Sequence, residues 1–327
     1  MRKLFQNQMF RKLDDYKTYF ATKGGDFYYS IIGSGAVHSN KKIYYAPIYY
    51  DKIVEFDPTY QTYKKVGSSL GTNTPKYRAC CFHPIGSVYF CPQEAIKILK
   101  YTPSTDISVD TSIDVTAYAG NTGNPKYGDI IYHPITDRLY LIPLMNNRIL
   151  EYNPYADTAV EVGSTYTGSN KYSSAVVVDN YIYCSPSYAT KIMRYNVVTG
   201  ISELVGQDMP SGYAPFTSII HINGSLYMTN VRNNNILIHN ISTGINSIAT
   251  NTLGISGVSS ASAYKNKIYF ISTTQFIEFD PATLTFKYVG TTLPSNYYYL
   301  GAVTVDNVIY VTPRDSYNIL ALRINNK

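Results

Sequence analysis

The chain has 327 residues, 15% charged and 45% hydrophobic, the balance of a packed protein rather than a disordered one. A net charge of +6 is mild at this length, so an acidic partner is allowed and nucleic-acid binding is not implied. No apolar run approaches the ~18 residues of a membrane-spanning helix, and no membrane insertion is expected.

The first stretch, MRKLFQNQMFRKLDD, has no apolar core and no small-residue cleavage site, so it does not read as a secretory signal. Leu4, Phe5, Met9, Phe10 and Leu13 can share one face of a short helix, with Arg2, Lys3, Arg11 and Lys12 around it. Residues 1–14 are therefore expected to form a docking segment for a neighbouring protein. The plainer alternative is a helix packed on the rest of the chain. Tyr16 to Ala21 follows as a strand-like run that ends before Gly24-Gly25.

From there one pattern repeats seven times. A tyrosine preceded by an aliphatic residue recurs at Tyr44, Tyr89, Tyr140, Tyr183, Tyr227, Tyr269 and Tyr310, at spacings of 45, 51, 43, 44, 42 and 41. Nine residues later comes Ile53, Ile98, Ile149, Ile192, Ile236 or Ile319, and the sixth repeat reaches Phe276 after seven. A period of this length made of short strands is the signature of a β-propeller, one blade per repeat. The first repeat shows the parts: a run at Ala36, then Ile43 to Pro47, Ile53 to Pro58, and Tyr63 to Gly67. Turn residues separate them, such as Asp179-Asn180, Asn223-Gly224 and Asp306-Asn307 at the first connection. Asp57-Pro58, Asn153-Pro154 and Asp280-Pro281 mark the third. Three short connections make each blade a meander, and the long fourth one crosses to the next blade. Small residues on the first run place it innermost, next to the axis.

The second repeat carries the longest insertion, about Thr111 to Lys126, expected to protrude on the face of the long connections. The seventh stops after Ile324 without an outer strand. From outer-strand valine to the next anchor tyrosine takes 21 to 23 residues in four repeats, and counting back from Tyr44 lands on Ala21 to Lys23. The Tyr16 to Ala21 run is thus expected to complete blade seven and close the ring. The expected fold is all-β: a seven-bladed β-propeller of four-stranded antiparallel blades over residues 15–327.

The repeat Ile-Tyr-x-x-Pro, Ile-x-x-Phe-Asp-Pro-x-Thr, Val-Gly resembles kelch-like propeller repeats over about residues 16–324. It departs from true kelch in lacking the inner-strand Gly-Gly doublet and the repeat's tryptophan; the chain has no tryptophan at all. The resemblance implies seven four-stranded blades and no particular partner. Divergent Tyr/Asn-rich propellers of this kind look like those of large phages and other viruses.

No catalytic constellation stands out. The sequence lacks a Walker loop, an HExxH motif and zinc spacing, so no catalytic residue, metal or cofactor is assigned. His38, His83, His133 and His221 fall near the ends of inner strands, where a polar strand end is favoured over a metal ring. Were the second hairpin to turn around Pro84 to Ser87, Cys80 would face Cys91. Reduced buried thiols are preferred to a disulfide there. The candidate binding residues are a basic arc before the third strands, Lys52, Lys97, Arg148 and Lys191, and Lys-Tyr pairs before the inner strands: Lys76-Tyr77, Lys126-Tyr127 and Lys171-Tyr172. Both sets open on one face, where cations among aromatics suit an anionic glycan, a nucleic-acid backbone or an acidic protein surface. The resulting expectation is a non-enzymatic binding or assembly module of a virus or phage particle, contacting other proteins of a larger assembly and located in the virion. A carbohydrate- or host-surface-binding module and a propeller hydrolase or lyase with a site over the central channel are the alternatives. The cytoplasm is the alternative location.

Overall fold

The computed structural model describes residues 15–21, 32–37, 40–71, 75–118, 125–209, 215–230, 235–250, 253, 261–272, 274–292, 299–313 and 318–325. They form seven four-stranded antiparallel sheets, with one short 3-10 helix at Val115–Ala117 among the described residues. Blade 1 holds Ile32–Val37, Ile43–Pro47, Ile53–Asp57 and Thr62–Val66, in that order from inside to outside. The first strands of successive blades touch each other all the way round the axis, those of blades 7 and 1 included. The innermost position of the small-residue run follows.

Seven aromatic side chains key the blades together. The anchor tyrosines of the second strands are none more than 6% exposed. Each reaches into the interface with the following blade. Tyr44 meets Tyr101 with ring centroids 5.5 Å apart, Tyr89 meets Tyr152 at 5.7 Å, and Tyr140 meets Tyr195 at 6.0 Å. Tyr227 meets Phe279 at 5.9 Å, and Tyr310 of blade 7 meets Phe56 of blade 1 at 5.2 Å. Tilted contacts at such distances contribute about 0.5–1.5 kcal/mol each beyond the area they bury.

The hairpins form where the turn residues put them. Asp179, Asn223 and Asp306 take φ of 51°, 48° and 52°, a region short polar side chains tolerate. At the third connections Asp57, Asn153 and Asp280 accept the backbone N–H of Thr59, Tyr155 and Ala282. The hairpin of blade 2 does not turn around Pro84 to Ser87, and the preferred reading of reduced thiols holds. This hairpin closes through three residues, pairing His83 with Ser87, so Ala79 faces Cys91 and Cys80 faces Phe90. One residue of register reverses a side chain's face, which separates the two thiols, and Cys80, Cys81, Cys91 and Cys184 are all free.

Ring closure follows the sequence expectation. Tyr16–Phe20 pairs antiparallel with Leu320–Ile324, outside Val308–Pro313 and Tyr299–Val305. It also reproduces the joint that other outer strands make. Ser108 and Ser202 hydroxyls accept the amides of Ser68 and Ser164 at 2.8 and 2.6 Å, each across a blade boundary. Thr18 does the same for Thr291 at 3.1 Å. The Tyr16 hydroxyl donates to Glu278, a buried carboxylate that also accepts from Tyr269 at 2.7 Å and pairs with Lys287 at 2.9 Å. Burial alone would raise the Glu278 carboxyl, but these donors outweigh it and hold it below the usual range.

A chain beginning at Gly25 lacks this strand and leaves blade 7 with an open edge. We expect its melting temperature to fall by about 10 °C or more against the full chain by calorimetry. Tyr16→Phe, which removes one bond to a buried carboxylate, should cost about 1–3 kcal/mol in urea unfolding.

Candidate functional site

The long connections and the links between second and third strands open on one face. The structure divides the candidate residues there into two groups. Lys97 starts a third strand and Lys52, Arg148 and Lys191 immediately precede theirs, in the outer half of each blade and away from the axis. Arg148 braces its own blade, donating to the Gly163 carbonyl at 2.6 and 3.1 Å, and Gln275 reaches the matching Gly290 carbonyl at 3.4 Å. Lys191 lies 3.8 Å from Asp208. Lys52 and Lys97 are half-buried.

The Lys-Tyr pairs lie further in. Tyr77, Tyr127 and Tyr172 are buried between blades, at most 4% exposed, so their rings serve as wedges and offer no face to a ligand. Their lysines organise the loops. The Lys76 amide donates to Ile48 of blade 1 and the Lys171 amide to Leu144 of blade 3, while the Lys126 carbonyl accepts three amides from residues 144–146. Pocket geometry brings the two basic series together in two blades: Lys76 with Lys97 in one cavity, Lys171 with Lys191 in another.

The histidines lie at the opposite face. His83 is fully buried; its Nδ1 accepts the Ile85 amide at 3.1 Å, so its proton sits on Nε2, 3.2 Å from Asp137 of blade 3. Asp137 in turn accepts from Tyr132 at 3.1 Å and Tyr155 at 2.7 Å. His133 repeats only the first half of the arrangement: its Nδ1 accepts the Ile135 amide, while its buried Nε2 faces the Asp179 turn of blade 4 without a hydrogen bond. His221 caps its own turn by accepting the Gly224 amide at 3.2 Å. These are strand-end and blade-to-blade fasteners. No group of three or more His, Cys, Asp or Glu that could hold a metal occurs among the described residues. His38, the docking residues Leu4, Phe5, Met9, Phe10 and Leu13, and residues 119–124 of the insertion lie outside the described residues.

One group passed over in the sequence stands out beside the axis. Asp129 is the third residue of the blade 3 inner strand, Tyr127–His133, near the end where the long connection enters. Gly128 allows blade 4 to press close, since a Cβ there would meet the Tyr172 carbonyl at 2.5 Å. The Ala175 amide of blade 4 then reaches Asp129 Oδ2 at 3.2 Å, and the Ile130 amide reaches Oδ1 at 2.9 Å. With the Ser174 hydroxyl, three of a carboxylate's roughly four acceptor positions are engaged. Protein packs round the carboxyl, yet it stays partly accessible. Burial pushes it up to about 6, against the pull of these bonds and of Arg78. Arg78, on the blade 2 inner strand, sits among so much protein that burial lowers its own pKa, partly offset by Cys91 and then Asp129. Cys91 donates to the Asp129 carbonyl at 3.6 Å, and burial holds the neighbouring thiols protonated. Sequence reading missed this pair because an isolated Asp and Arg, 51 positions apart, carry no motif. Their one available signal was being the charged residues on inner strands otherwise filled by small and apolar ones.

No protein-family model matches the chain, and no curated protein does. Among solved structures it is similar to virginiamycin B lyase from Staphylococcus aureus, at 14% identity and a TM-score of 0.75, covering 95% of this chain and 100% of that one. A streptogramin B lyase is similar at 17% identity and TM-score 0.75, covering 95% and 98%. Hydrazine synthase from Kuenenia stuttgartiensis gives 9% identity and TM-score 0.69, covering 90% and 96%. At such identities the likeness establishes the seven-bladed propeller fold. It also corrects the expectation of a non-enzymatic particle component: these three structures, matched over nearly their whole length, are of enzymes, and of the kelch-like reading only the seven-bladed propeller is shown.

Burial lowers the pKa of His83, His133 and His239. The unfolded chain, titrating near 6.5, then binds protons the folded one refuses, so their contribution is complete above about pH 6.5 and is lost as pH falls below it. Asp129 works in the opposite direction: its folded value of about 6 exceeds the ordinary 3.8, so the folded state takes up a proton first and gains relative stability as pH falls from 6. Urea unfolding between pH 7 and 4 should therefore show a steeper acid loss in Asp129→Asn than in the parent.

Proposed function

We propose that this propeller is an enzyme of the lyase type, with its site beside the central channel, Asp129 as proton acceptor and Arg78 as the cation facing developing negative charge. The observation that carries the reading is the Asp129 carboxyl, fixed by two backbone amides and held near 6 by burial. A base of that strength is mostly ionised at neutral pH and has more appetite for a proton than a surface carboxylate. Arg78 stays charged at any working pH and suits a carbonyl oxygen or carboxylate of the substrate. In an elimination, Asp129 would take the proton on the carbon next to that carbonyl. The freed pair would form the new double bond, and the leaving group would depart with its own electrons. Similarity in fold to lyases supports this class of chemistry.

Quinupristin, present in one structure of the Staphylococcus aureus lyase, is the first substrate to test, alongside a panel of cyclic esters and uronate-containing glycans. Mass spectrometry with ultraviolet detection of the new double bond is the measurement. We expect kcat/KM to rise with pH through about 6, following the base. Asp129→Asn should lower it by about 10²-fold or more. Full activity in Asp129→Asn, or no turnover across the panel, would sink the assignment.

A further inference from the structure

One lysine on the face where the long connections open is buried with no negative charge to meet it. Lys171 is 3% exposed, and its ammonium donates to the Met145 carbonyl at 3.1 Å and the Gly168 carbonyl at 2.7 Å. An ammonium carries three donors, so one remains. Among the described residues no carboxylate offsets the charge, and burial alone brings the pKa down to about 8. A buried cation held only by carbonyls is costly, and an anion that completes it gains accordingly.

Lys171 lines a cavity of about 400 Å³ between the long connection into blade 4 and the loop after its second strand. Tyr166 and Tyr188 stand on its walls, with Tyr188 58% exposed. Ser169 and Thr190 supply hydroxyls, and Lys191 stands at the rim, 3.8 Å from the exposed Asp208, which a bound carboxylate would displace as its partner. Blade 2 has the corresponding cavity, of about 420 Å³, around Lys76 and Lys97. There, however, Glu94 stands at the position of Tyr188, and Asp110 lines the wall. The blade 2 cavity thus carries its own negative charge and lacks the exposed aromatic face. It serves as an internal control.

We propose that the blade 4 cavity binds a sugar carboxylate of the uronic-acid class, with Lys171 and Lys191 taking the carboxylate and Tyr188 covering the pyranose ring. The hydroxyls of Ser169 and Thr190 match the ring hydroxyls, and the volume falls within the ordinary range for small-ligand sites. An exposed aromatic face beside a cation favours a sugar acid over inorganic phosphate, which draws nothing from the ring. This site is separate from the pair at Asp129 and Arg78.

The test is saturation-transfer NMR and calorimetry of the full chain with galacturonate and digalacturonate, with glucose and inorganic phosphate as comparisons. We expect saturable binding of the uronates, weakened at least about 10-fold by Lys171→Met and by Tyr188→Ala, and unchanged in Lys76→Met. Tyr188 is exposed, so its variant decides the matter if Lys171→Met does not fold. The proposal is overturned by absence of saturable uronate binding, by glucose or phosphate binding as tightly, or by full binding in the Tyr188→Ala protein.

Discussion

Everything in this molecule depends on how one blade grips the next. A four-stranded blade has two faces and cannot bury either alone. The tyrosine of each second strand solves this by crossing into the neighbouring interface, where in most blades it finds an aromatic ring of the next third strand. The Tyr310–Phe56 contact applies the same rule across the junction between the last repeat and the first. The anchor position is thus a fastener first, which explains its recurrence without any appeal to function.

Tyrosine rather than phenylalanine at these positions brings a hydroxyl into the interface, and in blades 1 and 6 the strand opposite provides for it. Register places Glu55 across from Tyr44, and Glu278 across from Tyr269. Both carboxylates are buried and accept from those hydroxyls, at 2.9 and 2.7 Å. Lys42 and Lys287 supply the counter-charge. A buried carboxylate satisfied in this way is tolerable, whereas one partner removed leaves an orphan charge. Blade 6 uses this device to receive Tyr16, so closure of the ring is electrostatic as well as a matter of strand pairing.

Chemistry is left to positions where the blades differ. Most inner-strand positions near the axis hold small or hydroxyl-bearing side chains, and Asp129 and Arg78 are exceptions. Likewise the cavities of blades 2 and 4 share a lysine scaffold but differ in what stands opposite it, an acid in one and a tyrosine in the other. A repeated scaffold makes such departures conspicuous, because the neighbouring blades show what the fold alone requires. By that standard the inner histidines, which caught the eye as a series, are fasteners: their ring nitrogens are directed at their own hairpins and the next blade's turn.

Blade number, strand order within a blade and the closing role of Tyr16–Phe20 could all be read from the chain. The turn residues, the small inner-strand residues and the spacing between outer valine and next tyrosine are local, and seven repetitions reinforce each of them. Tertiary structure decided what one repeat cannot encode. The three-residue turn after His83 shifted Cys80 away from Cys91 by a single register step. Packing between blades took Tyr77, Tyr127 and Tyr172 out of solvent while leaving Tyr188 in it. The proton affinity of Asp129 was set by blade 4, whose Ala175 amide and close backbone approach come from 46 residues further on. Such properties belong to the contact between repeats, where desolvation and charge are determined jointly by two segments that no periodic pattern links.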